Sequence, residues 1–375
     1  MENLTVAKIL TGILPRLRVQ SEHVETWDNS YPYENQYKMI DNSSFIGMEM
    51  EIENVRTHTF IDPIWQETRD DSLRNGGKEY VSLPIPAKLA EKSLDYLFKR
   101  ISLQEDSYTP RTSIHIHLNV RTLTVAQLKG LLLTYMVFEK TLFNWIGGKR
   151  EENIFCVPLH SINLTDLLIE KLEDIKNINW MKYTAVNLVP ILEKGSVEFR
   201  QMVGTNDVGT IIKWINFILC LKIYALKTPY THILQRIFLL NTKSDYKEFL
   251  YDVFKNHPFI SELNYKNFEK DMSFCVTNIK QSCITNTFHE KANKEFQFSI
   301  MKELKVKLRN PVDFLDDLET GVTTPRPRIP MFTRTTGNNP PLFNQEALDR
   351  LPEELTMNTE IQEAQITEAI RRPRF

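Results

Sequence analysis

Three glutamates, Glu49, Glu51 and Glu53, alternate with apolar residues in the segment that starts at Phe45. Successive side chains of an extended strand point to opposite faces, so the three carboxylates share one side while Met48, Met50 and Ile52 share the other. Like charges at this spacing repel unless water or a cation lies between them, so the face is either solvated or a binding place for a hard cation. A second alternating segment, Ser113–Val120, sets His115, His117 and Asn119 opposite Ile114, Ile116, Leu118 and Val120. Two imidazoles two residues apart on a strand reach one site. No cysteine or aspartate stands nearby at zinc spacing, and the pair fits a carboxylate-rich magnesium site better than a zinc site. A third segment, Ser196–Met202, puts Glu198 and Arg200 on one face, and a turn through Asp71–Gly77 leads into a short run that presents Glu79. Together these faces suit the floor of a site in which cations offset phosphate charge.

The elements that must position these groups are legible as periodicities. Strands are expected over Phe45–Asn54, Glu79–Leu83 and Ser113–Val120. Two further short strands, Thr184–Leu192 and Ser196–Met202, are expected to pair through a hairpin turn at Glu193-Lys194-Gly195. Apolar residues at helical spacing predict a helix over Thr124–Ile146, with Thr122 or Thr124 as N-cap and Gly147-Gly148 as its stop. Asp207–Leu226 reads as a helix buried on most sides. The N-terminus offers a short amphipathic segment, Val6–Leu17, and then a polar, extended lead-in over Ser21–Tyr37. The tail holds 7 of the 18 prolines and 7 arginines against 7 acidic residues, a composition that favours extended, polyproline-like chain. The organisation expected is an arm over 1–40, a catalytic core over 41–226, a mostly helical extension over 227–320, and a Pro/Arg-rich tail over 321–375 suited to a protein partner.

Composition narrows the class. The chain has 375 residues, 46 Lys+Arg against 48 Asp+Glu, a formal charge of −2 and 42% apolar residues, enough for a well-buried core. The balanced charge argues against a protein whose main task is coating nucleic acid. The apolar stretches Gly130–Phe138 and Ile211–Leu226 are too short, or interrupted by Lys213 and Lys222, to read as membrane spans. The N-terminus lacks a signal-peptide pattern, and four dispersed cysteines read as reduced thiols of a cytoplasmic protein. There is no phosphate-binding P-loop, because Phe143 stands where Gly147-Gly148-Lys149 would need its first glycine. Cys156 reads as a buried thiol rather than a nucleophile.

The set and its order resemble the phage and bacterial amidoligase family. The resemblance rests on Gly47-Met48-Glu49-Met50-Glu51, Asp71-Ser72-Leu73 with Glu79-Tyr80-Val81-Ser82-Leu83-Pro84, and His115-Ile116-His117. It continues through Arg150, Asn153, Phe155-Cys156-Val157-Pro158, Tyr183, Asn187-Leu188, Val197-Glu198-Phe199-Arg200 and Gly204-Thr205. It spans about half the chain, and the residues before the His-x-His pair and before Ser72 depart from the family pattern. The resemblance implies an α+β fold like that of glutamine synthetase and glutamate–cysteine ligase: a curved antiparallel sheet with helices on its convex face. It implies ATP-dependent joining of a carboxylate to an amine through an acyl phosphate. Glu49, Glu51, Glu79, Glu198 and His115 would hold Mg²⁺, Arg200 would stabilise the transferring phosphoryl group, and His117 and Asn119 would orient ligands. Arg150 and Lys149 would meet the acyl phosphate or a substrate carboxylate, and Asn187 would line the nucleotide pocket. The substrates would be ATP with an amino acid, peptide or protein carrying the acid and the amine, with no specific nucleic acid and no membrane. Two other readings stay open: a guanidino or amino kinase on the same fold, and an idle phage assembly or virion protein using the domain as scaffold.

Overall fold

The computed structural model describes residues 4–14, 21–55, 62–161, 175–177, 180–254, 257 and 265–284. The tail expected over 321–375 lies outside the described residues. The alternating segments form strands: β1 (Phe45–Ile52), β2 (Trp65–Thr68), β3 (Lys78–Ser82), β4 (Ile85–Pro86), β5 (Ser113–Asn119), β6 (Val186–Asn187) and β7 (Ser196–Val203). They pair antiparallel throughout in the order β2-β3-β1-β5-β7-β6, and β4 joins the start of β1 through Phe45 and Ile46. This is the open antiparallel sheet of an α+β fold, as the sequence implied.

One face of the sheet is the core. Met48, Met50, Ile114, Ile116, Leu118, Val197 and Phe199 are fully buried on it. Helix α4 (Val125–Leu142) covers this face. Its start is fixed by Thr124, whose hydroxyl accepts from the Gln127 amide while the Gln127 side chain accepts from the Thr124 amide. Tyr135 of α4 and Trp214 of α6 (Val208–Lys227) both meet the Phe199 ring edge-on, at centroid distances of 5.7 and 6.2 Å. Near the sheet edge, α3 (Ala90–Phe98) accepts a hydrogen bond from the Trp65 indole at the Ser93 carbonyl, 3.0 Å away. Helix α6 is long and apolar enough to cross a membrane by length and composition, but 72% of its apolar window is buried inside the protein. Beyond α4 lie α7 (Tyr230–Leu239), α8 (Lys243–Phe254) and α9 (Tyr265–Ile284); Phe138 of α4 stacks on Phe249 and meets Phe254 edge-on.

Several local expectations change. Helix α1 is a single turn, Val6–Ile9. Ser21–Ser30 is helix α2 rather than extended chain, because Val24 and Trp27, one helical turn apart, are buried together. The link between β6 and β7 is not a hairpin turn but the short helix α5 (Pro190–Lys194). Pro190 pre-sets its first turn, and Gly195 ends it at φ 68°, a left-handed conformation that glycine adopts without strain. Strand β1 stops at Ile52, so Glu53 leaves the glutamate face. Its carboxylate accepts instead from the Arg74 amide at 2.7 Å and the Thr109 hydroxyl at 2.8 Å, tying two loops together.

Candidate active site

The face opposite the core carries the polar set, and strand register sets it side by side. Glu51 pairs with Glu79 across β1 and β3, and Glu49 with His115 across β1 and β5. Glu198 of β7 pairs with His117 on one side and Asn187 on the other. Between Ile114 and Ile116 the register slips, since these residues pair with Met202 and Phe199: β7 runs three residues where β5 runs two. Arg200 faces the site by alternation from Glu198, and the extra residue lets Gln201 and Met202 both be buried after it.

These side chains line one cavity of about 420 Å³. At its centre His115 Nδ1 lies 3.1 Å from Glu49 and 3.2 Å from Glu198, and its Nε2 lies 2.8 Å from the Ser113 hydroxyl. Ser113 in turn donates to Glu51. His117 Nε2 sits 2.8 Å from Glu49 and its Nδ1 3.2 Å from Ser196. Arg200 donates to Glu198 and to the Phe155 carbonyl at 3.4 Å, and Asn187 donates to the other oxygen of Glu198 at 2.7 Å. Glu79 accepts from Thr68 at 2.8 Å.

The charges are unequal along this face. Burial opposes ionisation of Glu49, but hydrogen bonds and positive charge from His115 and His117 outweigh it and hold the carboxyl far below the usual range. Glu198 follows the same pattern: burial raises it, and His115 and Arg200 pull it down further. Burial lowers Arg200, and the nearby Glu198 and Glu51 more than reverse that. Glu79 goes the other way, pushed up by burial and by the negative charge of Glu49.

Among the described residues, two groups of three could hold a cation: Glu49, His115 and Glu198, and Glu51, Glu79 and His115. Within each, one ligand atom per residue lies within 4.8 Å of the others. The donors are carboxylate oxygens with one shared imidazole and no thiolate, a set that fits hard divalent cations such as Mg²⁺ or Mn²⁺.

Of the residues singled out in the sequence, Glu49, Glu51, Glu79, His115, His117, Arg150, Asn187, Glu198 and Arg200 line this cavity. Asn119 does not. It accepts from the Arg121 amide and faces a neighbouring apolar pocket of about 240 Å³ that shares Glu49, His117 and Lys194 with the main one. Lys149 is exposed on the turn after α4 and stands outside the cavity lining. The sequence reading missed Ser113 as a site residue, although alternation two places before His115 already marked its face. It also missed Arg111, in a turn, and Lys194, the last residue of α5, neither of which lies on an alternating strand; Lys194 Nζ lies 3.5 Å from Glu49.

An open antiparallel sheet backed by helices, with buried carboxylates, imidazoles and a guanidinium on its free face, defines a domain that gathers opposite charges in one cavity. Residues 81–222 match the model of the family described as "putative amidoligase enzyme", so the resemblance read from the sequence holds over that stretch, and the match supports a ligase-type enzyme. Glu79 lies just before it and Glu49 and Glu51 further upstream. No protein of curated function matches the chain. Among solved structures, a glutamine synthetase of Plasmodium falciparum seen by cryo-electron microscopy is similar at 9% identity. The alignment covers 83% of this chain and 78% of that one with a TM-score of 0.33, a likeness that carries no inference about chemistry.

Proposed function

We propose that the protein is an ATP-dependent carboxylate–amine ligase working through an acyl phosphate. The observation that carries this reading is the pair of cation-capable groups sharing His115 within one cavity, with Arg200 beside them. The acid's carboxylate oxygen attacks the γ-phosphorus and ADP leaves. The amine then adds to the acyl carbon, loses a proton and expels phosphate, leaving the amide. Both partners in the first step are anions. Two unit charges about 4 Å apart repel by roughly 4 kcal/mol at an effective dielectric near 20, and cations must offset this. Glu49, Glu51, Glu79, Glu198 and His115 would hold Mg²⁺, which when bound neutralises phosphate charge. Arg200, fixed by Glu198 and the Phe155 carbonyl, stabilises charge on the transferred phosphoryl group. His117, held between Glu49 and Ser196, orients the reacting groups.

The test is release of ADP and free phosphate by the full chain with ATP, Mg²⁺ and candidate acid and amine pairs. Glu51→Ala and Arg200→Ala are each expected to lower it at least about 100-fold. Wild-type rates in both variants would place the chemistry elsewhere. Phosphate retained on the substrate, with no free phosphate, would favour a kinase over a ligase.

A further inference from the structure

Glu139 of α4 is fully buried, yet it stands outside the lining of the cavity. One of its oxygens accepts from the Leu159 amide at 2.7 Å. The other accepts from the His160 amide at 3.0 Å and faces His160 Nδ1 at 2.8 Å. Its main-chain carbonyl accepts from the Gln201 side chain at 3.1 Å, and Tyr135, one turn earlier, donates to the oxygen of the same amide at 3.0 Å. Taking a carboxylate out of water is costly, and an apolar side chain of similar volume often stabilises a core as well or better, so stability alone does not account for Glu139. The two ribbons it grips meet at Arg200. Gln201 follows Arg200 where β7 runs one residue beyond β5, an interruption of the ladder at which side chains must hold the strand. In the segment leading to Leu159, the Phe155 carbonyl accepts from Arg200 Nε at 3.4 Å and the Cys156 thiol donates to the Arg200 carbonyl at 3.5 Å.

We infer that Glu139 is a positioning residue for Arg200. From behind the sheet it clamps β7 through Gln201 and the Phe155–His160 segment through its carboxylate, and so fixes where the guanidinium points. This deepens the ligase reading and rests on it only for the step that Arg200 serves. Glu198 does not set that direction alone, because it lies on the same strand as Arg200 and moves with it. The Phe155 carbonyl reaches Arg200 Nε from outside the strands, and Glu139 holds the end of that segment. A group that stabilises a transferring phosphoryl tolerates little displacement, since about 1 Å can cost a factor of roughly 100. Glu139→Gln keeps the volume and breaks the clamp. Whichever way its amide turns, an NH₂ group meets the N–H of Leu159 or of His160.

The test uses the full chain labelled with ¹⁵N-arginine, the Arg200 Nε–H signal being assigned by its loss in Arg200→Lys. Solvent exchange of this hydrogen is expected to quicken about 10-fold in Glu139→Gln, and to quicken also in Gln201→Met, which releases only the β7 arm. Glu91→Gln is the control. Glu91, 2% exposed, holds the Tyr33 hydroxyl and the Gln36 and Tyr37 amides against α3, so its loss should lower Tm comparably and leave the Arg200 signal unchanged. With ATP, Mg²⁺ and a productive acid and amine pair, Glu139→Gln should lower kcat about 10–100-fold at an unchanged KM for ATP. Added to Arg200→Ala, it should cost less than about twofold more. An unchanged exchange rate in either Glu139→Gln or Gln201→Met would overturn the inference. So would equal quickening in Glu91→Gln, or kinetic losses that multiply. Should Glu139→Gln not fold, Gln201→Met decides alone. Exchange is read without nucleotide, so a wild type that releases no ADP would strike the ligase reading and leave the clamp to its own measurement.

Discussion

His115 is reached from three strands. Its ring is buried, and Glu49, Glu198, Ser113 and Arg200 all approach its two nitrogens within 3.4 Å. Ser113 is the quietest of these and the most informative, because it holds the ring from one side and Glu51 from the other. Ser113→Ala removes that brace without touching a charge. The expected result is a 10–100-fold loss of Mn²⁺ or Mg²⁺ affinity by titration calorimetry, with stability lowered by only about 1 kcal/mol. Most of this cluster was legible from alternation alone: Glu49 and Glu51, His115 and His117, and Glu198 and Arg200 each follow from a period of two. Glu53 followed the same count and still left the face, because its strand ends one residue earlier and the loops claim its carboxylate. What alternation could not give was Arg111 and Lys194, since a turn and the end of a short helix place side chains by their own geometry and not by a period of two.

At the level of elements, α5 shows how a single backbone choice aims a strand. Gly195 closes the helix in the left-handed region, and a Cβ there would lie 2.5 Å from the Arg121 side chain. Gly195→Ala is expected to cost about 1–2 kcal/mol or more in denaturant unfolding, from the conformation alone. It should also lower activity, because both Lys194 and the start of β7 leave from this point. The residues read as a hairpin had the right pairing and the wrong connection. Glu-Lys-Gly is a fair turn sequence, but Pro190 commits the chain to a helical turn first. Strands β1, β5 and β7 and helices α4 and α6 were legible because their patterns are long. Helix α2 was not, because two buried residues among eight polar ones leave little periodic signal.

Across the whole molecule the long apolar helix α6 settles against the sheet at the expense of one buried cation. Lys222, 7% exposed, donates to the Ser44 hydroxyl at 3.0 Å; burial depresses its pKa and the charge of Asp41 only partly restores it. The sign of the linkage follows. Between the depressed folded value and the ordinary 10.5 the unfolded chain binds more protons, so stability rises with pH across that window and is lost as pH falls through the folded value. Lys222→Met should therefore gain on the order of 1 kcal/mol at pH 7, with the advantage shrinking toward pH 10. Paired unfolding curves at several pH values measure it, and a gain that did not change with pH would refute the linkage. The same helix meets Phe199 through Trp214, one residue before the arginine that faces the cavity. That juxtaposition is plain alternation; the residue that β7 carries beyond its partner acts after it and turns Met202 back to the core. The surplus acts as a phase shifter, keeping Arg200 on the wet side and Met202 on the dry side of one ribbon. A relative that dropped Gln201 would return to plain alternation with both residues in place, and would forfeit instead the amide that accepts from Tyr135 and donates to the Glu139 carbonyl.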